Sequence, residues 1–260
     1  MALAPGSLLA GRADANRRRR AGLLGAVAAV LAVLAVAAGR LAGGGAVAAA
    51  VLVAVAAGAT AAAWRWSDAV VLAGSRARPA DPVAHARLHN LVEGLCASAG
   101  LPKPRLFVVD APALNAFATG RHPRRAALVA TTGLLDGLTR LELEAVVAHE
   151  LAHVRQRDTA VSTLAAATIG LALGPVPPLR ERALGRALPP DRERWADLAA
   201  VALTRYPPGL VAALEKLRRG PTVVAGTPAA FAHLWIQTPV ARPGGTHPPL
   251  QERIEALLEL

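Results

Sequence analysis

The chain opens on two long apolar blocks and continues in mixed, periodic segments. Residues 21–39 carry no charge over 19 positions, Arg40 interrupts, and residues 41–64 are uncharged over 24 more. A bilayer core takes about 20 apolar residues per helix. The pattern therefore predicts two membrane spans joined by a tight turn at residues 40–45. Ala and Gly dominate both spans, and such small residues let paired helices approach closely. Residues 79–82 read as a linker. Leu88, Leu91, Val92 and Leu95 recur at helical spacing and predict an amphipathic helix over 85–99, ended by Gly100 and Pro102. Residues 105–110, 115–119 and 126–132 predict strands, the last two turning around 120–124. Helices are expected over 142–157, 191–203, 209–218 and 251–260. An apolar run over 161–173 ends at Pro175, Pro177 and Pro178. It is too short to cross a bilayer, so it reads as a buried helix or one lying on the membrane surface. The expected fold is mainly α with a small antiparallel β-sheet. The expected organisation is a basic N-terminus (1–20), a transmembrane helical hairpin (21–66), a linker (67–82) and one domain (83–260).

Charge orients this arrangement. Lys and Arg number 29 against 18 Asp and Glu, a net +11, and only positions 103 and 216 are Lys. Arg12 and the run Arg17, Arg18, Arg19, Arg20 precede the first span. Arg65, Arg76 and Arg78 follow the second, and only Arg40 lies in the turn. The positive-inside rule puts both ends, and with them the large domain, in the cytoplasm as part of a multi-pass protein of the cell (inner) membrane. Trp64 and Trp66 then fall at the interface. A cleaved signal peptide fits less well, because the first span is long and a second follows directly. Aromatic residues are 3 % of the chain, so the stacking platform of a nucleic-acid binder is missing. Membrane lipid is the expected anionic partner, and no nucleic acid is expected. Cys96 is the only cysteine, which excludes an intrachain disulfide and a CxxC metal site.

The segment with chemistry is His149-Glu150-Leu151-Ala152-His153. Residues four apart share a helix face, so two imidazoles can hold one divalent ion, and His and carboxylate ligands suit one Zn2+. Glu150 then stands beside the reacting water as its base. Val146, Val147, Leu151 and Val154 make this helix apolar, and polar groups within it would be costly without a ligand. A catalytic zinc takes three protein ligands. Glu193, in Glu193-Arg194-Trp195-Ala196-Asp197, is the best third ligand, although it also fits as an ordinary charge in a first helical turn. Asp197, one turn on, is a candidate to hold the second nitrogen of His149 or His153. His85 and His89 share the spacing, but no glutamate stands at 86, and they read as surface residues. His122 and His233 suggest no role. Tyr206 marks a helix end before Pro207 and Pro208.

The order of motifs resembles the HtpX family of membrane-bound zinc metalloproteases. It runs Asn115-Ala116-Phe117-Ala118-Thr119-Gly120, Thr131-Thr132-Gly133-Leu134-Leu135, the pair of histidines with Glu150, the Glu193 to Asp197 segment, and Thr246-His247-Pro248-Pro249. The resemblance covers roughly residues 80–260. It implies a zincin-like metalloprotease domain, Glu193 as third ligand, and endoproteolysis of membrane or misfolded proteins. Many members carry two further spans between the histidine and glutamate helices, where this chain has only the 161–173 run. A crossing there would put Glu193 and His149 on opposite sides of the membrane. Leu114 stands where the family commonly has proline. Asn115, Ala116 and Phe117 are expected on an edge strand that pairs with an extended substrate. His247 is a candidate to polarise the substrate carbonyl or steady the oxyanion, and fits equally as a structural histidine capping the last helix. Two other readings are a site-specific signalling protease and a membrane scaffold with a structural metal site.

Overall fold

The computed structural model describes residues 5–240 and 247–260, with side chains from residue 11 onward. Helix α1 (Pro5–Leu41) runs without interruption through the arginine block, since Arg is a good helix former. Gly43, at φ +69°, closes the turn into α2 (Ala46–Gly74). Both helices are long and apolar enough to cross a membrane. They pack against each other as a hairpin.

The sheet has four strands, β1 (Arg78–Pro79), β2 (Arg105–Val109), β3 (Ala116–Thr119) and β4 (Ala127–Thr131), in the order β1-β2-β4-β3. Between β1 and β2 lies α3 (Ala86–Ala99), stopped at Gly100 in the left-handed region. The sheet is mixed, which corrects the expectation of antiparallel pairing throughout. β1–β2 and β3–β4 are antiparallel, but Leu106 pairs with Leu128 and Val108 with Ala130 in parallel. After β2 the chain lays β3 on the far edge and returns through a turn, so β4 slots between the two and runs with β2. Every residue of β4 is buried, as expected for a central strand covered on both faces.

After a short helix α4 (Thr132–Gly137), α5 (Arg140–Gln156) begins at a capping box between Thr139 and Glu142. Its apolar side chains enter a core with α3, β2, β4 and three later helices. Arg157, at φ 61°, ends α5 and turns the chain sharply into α6 (Asp158–Ala165). All of α6 is buried, and a single π-helical segment, Ala166–Gly170, continues it. Val161 and Ala165 pack beside Leu23 of α1. The apolar run is thus buried over residues 161–166 and partly exposed beside the anchor over 167–173, where Leu171 is 46 % exposed. Pro177 then starts α7 (Pro177–Ala187), because proline suits the first helical position. Helices α8 (Arg192–Thr204), α9 (Pro207–Arg219) and α10 (Leu250–Leu258) complete the fold. A 3-10 turn, Ala229–Leu234, seats Phe231 against Gly74, where a Cβ would come within 2.3 Å of the ring. The end of α2 therefore lies directly on the loop beside β3.

A candidate metal centre between two helices

Helices α5 and α8 pack closely along their lengths. α5 presents His149, Glu150 and His153, and α8 brings Glu193 and Asp197. All five are buried except His153, whose side chain is 12 % exposed. The two Nε2 atoms lie 3.2 Å apart. Glu193 Oε2 is 3.4 Å from His149 Nε2, and Oε1 is 3.8 Å from His153 Nε2. Zinc bonds nitrogen at about 2.0–2.1 Å in a tetrahedron, which separates neighbouring ligands by about 3.3 Å. The three side chains fit one such ion.

The outer nitrogens fix how the rings present themselves. His149 Nδ1 donates to Asp197 Oδ1 at 2.8 Å, and His153 Nδ1 donates to Asp158 Oδ2 at 3.1 Å. With each Nδ1 proton committed, both Nε2 atoms turn to the same place, where a cation would replace the proton that otherwise ties His149 Nε2 to Glu193. The local field favours that cation. Burial alone would keep the His149 imidazole neutral, but its hydrogen bonds to Asp197 and Glu193 push it up to about 9. Glu193 is also buried, yet His149, His153, Arg192 and Arg253 hold it well below the usual carboxylate range.

Glu150 differs. Neither carboxylate oxygen has a hydrogen-bond partner among the described residues, and the side chain is 1 % exposed. Burial raises its pKa, and the nearby imidazoles offset this only in part.

Residues 82–177 match the model of peptidase family M48. Protease HtpX homologues are similar over most of their length. That of Caldanaerobacter subterraneus is 33 % identical, over 76 % of this chain and 80 % of the relative. That of Dictyoglomus thermophilum is 36 % identical, over 75 % and 76 %. The chain belongs to the HtpX family of proteases. A further HtpX homologue, from Tropheryma whipplei, is 36 % identical over 74 % of this chain and 78 % of its own. No solved structure matches.

In this HtpX-family chain Asn115, Ala116 and Phe117 do not form a free edge, which corrects the expectation for those three residues. All are buried. Asn115 Nδ2 donates to the carbonyls of Thr222 and Gln237, Ile236 N donates to Ala116 O, and Phe117 bridges to Trp235. The chain covers its own strand there, because an asparagine amide that can bond two backbone carbonyls is more useful as a loop tie than as a substrate contact. Ala118 is covered as well, at 4 % exposure. Asn115 O accepts from Thr131 N of β4 while Ala116 O faces the other way. Alternation turns the Ala118 amide the same way, toward the segment that bridges Phe117 and toward the Glu150 carboxylate. Ala118 lines the cleft with His153, Ser162, Arg192, Glu193 and His233.

His247 stands at the cleft's rim, with Nε2 3.3 Å from Arg192 Nη2. Burial, aided by Arg192 and Arg253, lowers it to about 4 against the pull of Glu193, so it is neutral at pH 7. Thr246 of the same motif lies outside the described residues. Sequence reasoning overlooked four residues here. Arg253 of α10 clamps Asp197 with Nε and Nη2 at 2.8 and 2.6 Å. Asp158 orients His153. Arg192 donates to Ser162 Oγ and to the His233 carbonyl. His233 donates from Nε2 to the Ser162 carbonyl at 3.0 Å and is buried, so it is a structural part of the cleft wall. His89, by contrast, bonds the Ala80 carbonyl far from the cluster.

Proposed function

We propose that this chain is a membrane-anchored zinc metalloendopeptidase that hydrolyses peptide bonds in membrane or misfolded proteins on the cytoplasmic side. The reading rests on one observation. Two imidazole nitrogens and a carboxylate converge at tetrahedral spacing beside a second buried carboxylate, that of Glu150. His149, His153 and Glu193 would hold the ion. Bound zinc supplies a Lewis acid that polarises the peptide carbonyl and eases deprotonation of water.

The chain's own residues do the rest. Glu150, with its raised pKa, accepts the proton of the attacking water and delivers it to the departing amine. Asp197 and Asp158 keep both imidazoles in the Nδ1–H tautomer. His247 turns Nε2 to the Arg192 guanidinium and its N–H to the Trp235 carbonyl, so it serves an oxyanion only by exchanging that carbonyl for the substrate.

The anchor supports a membrane-proximal substrate. Asn16 of α1 lies against the Asp158 that orients His153. The uncharged stretch starts at residue 21, only about 7.5 Å further along the helix axis. Arg20 stacks over Trp64 at 5.0 Å, as expected near headgroups.

Metal content and proteolysis of the detergent-purified full chain, with and without chelator, test this reading. One zinc per chain is expected, with cleavage of an unfolded protein abolished by chelation and restored by zinc. Glu150→Gln should keep the zinc and lose at least about 100-fold in rate. Equal cleavage by wild type and E150Q would overturn the mechanism.

A further inference from the structure

The two imidazoles are each held by a carboxylate, and each carboxylate is itself held. Arg253 holds Asp197. For Asp158 the holder comes from an unexpected place, the extramembrane start of the anchor helix. Asn16 Nδ2 donates to Asp158 Oδ1 at 2.6 Å and to the Gln156 carbonyl at 2.9 Å. Both partners are acceptors, so the amide can only present its nitrogen to them. Asn16 is 2 % exposed and Asp158 likewise 2 %. Asp158 follows directly on the sharp turn at Arg157, which places its other oxygen, Oδ2, on His153 Nδ1. A single amide thus ties the last carbonyl of α5 to the first side chain of α6. Neighbouring contacts dock the same helix without reaching Asp158. Arg12 bonds the Gln156 side chain at 3.1 Å, pairs with Asp191 at 2.9 Å and lies over the Trp195 ring.

We infer that Asn16 is a positioning residue for the metal centre, acting through Asp158 to fix the orientation and tautomer of His153. The anchor helix is thereby part of the catalytic unit as well as its tether. This rests on the proposed role of His153 as a ligand. The carboxylate beside a ligating imidazole commonly changes metal affinity 10–100-fold. A donor that orients that carboxylate acts on the same quantity by a smaller factor.

The test is a double-mutant cycle on the full chain in detergent, read as zinc affinity by chelator competition. Asn16→Leu keeps the volume and removes both donors. It is expected to weaken zinc binding about tenfold in the wild-type background and to have little further effect in the Asp158→Asn background, because its route is already cut. Arg12→Ala, which loosens the same helix, should lower the melting temperature of the metal-free chain and leave zinc affinity within twofold. Wild-type affinity in N16L would overturn the inference. So would an equal tenfold loss in both backgrounds, which would mean that Asn16 only docks α1. A wild-type chain that binds no zinc would overturn the proposed function and this inference with it.

Discussion

The two histidines on one face of α5 are supported in different ways. His149 is fully buried, and its Asp197 is gripped by a guanidinium through two short bonds, all within the large domain. His153 is partly exposed at the cleft, and its Asp158 is held by one neutral amide on the anchor helix. The first support is charged and bidentate, the second neutral and single. Charge-assisted paired bonds are roughly twice as strong as neutral ones. One histidine is therefore fixed by the fold of the domain, and the other depends on how α1 sits against α5.

The largest test of this contrast is Arg253→Leu. It leaves Asp197 buried without its cation and removes a positive charge 3.4 Å from Glu193. Breaking a buried pair in this way costs about 3–5 kcal/mol. Thermal unfolding of the metal-free chain should drop sharply, and an unchanged melting temperature would show that Asp197 does not need its clamp. A smaller effect follows from comparing Asp197→Asn with Asp158→Asn. Both should weaken zinc binding by about 10–100-fold. Only the first strands a buried guanidinium, so it should also destabilise the chain by about 1–3 kcal/mol more than the second. Equal stability losses would erase the asymmetry between the two supports.

The part of the site that one helix encodes was legible beforehand. Spacing alone puts His149, Glu150 and His153 on a common face. Glu193 and Asp197 share a face by the same rule, but their meeting with α5 rested on the order of motifs. Asp158 was hidden although it is only five residues past His153. A continuous helix would have carried it to another face, and the left-handed conformation of Arg157, which no glycine advertised, brings it back. Arg253 and Asn16 sit among many arginines and polar residues in unremarkable helices. Their partners are 56 and 142 positions away, and no local pattern records such distances. The strands themselves were readable from β-favouring runs. Their pairing was not, because inserting β4 between β2 and β3 is a choice of partner, and period-two alternation reports only on faces.

The smallest expected effect lies at the opposite end of α5 and serves as the control for all the others. Glu142 accepts from Thr139 N and from Lys216 Nζ, both at 2.7 Å, and so closes the helix N-terminus far from either imidazole. Burial alone would raise its carboxyl, but Lys216 and Thr139 outweigh it and bring the pKa below the ordinary glutamate value. A carboxylate depressed in the folded state stabilises fully above its unfolded value of about 4.3, and this is lost as pH falls through the lower folded value. Glu142→Ala should therefore cost about 1 kcal/mol near pH 7. Its melting temperature should converge on that of wild type as the medium is acidified below about pH 4. Zinc affinity at neutral pH should not move, because the cap sets whether α5 starts and not how its last turns present their rings. A loss of zinc in E142A as large as that in D158N would mean that α5 transmits any loosening along its length. Local carboxylates would then no longer account for the difference between the two histidines.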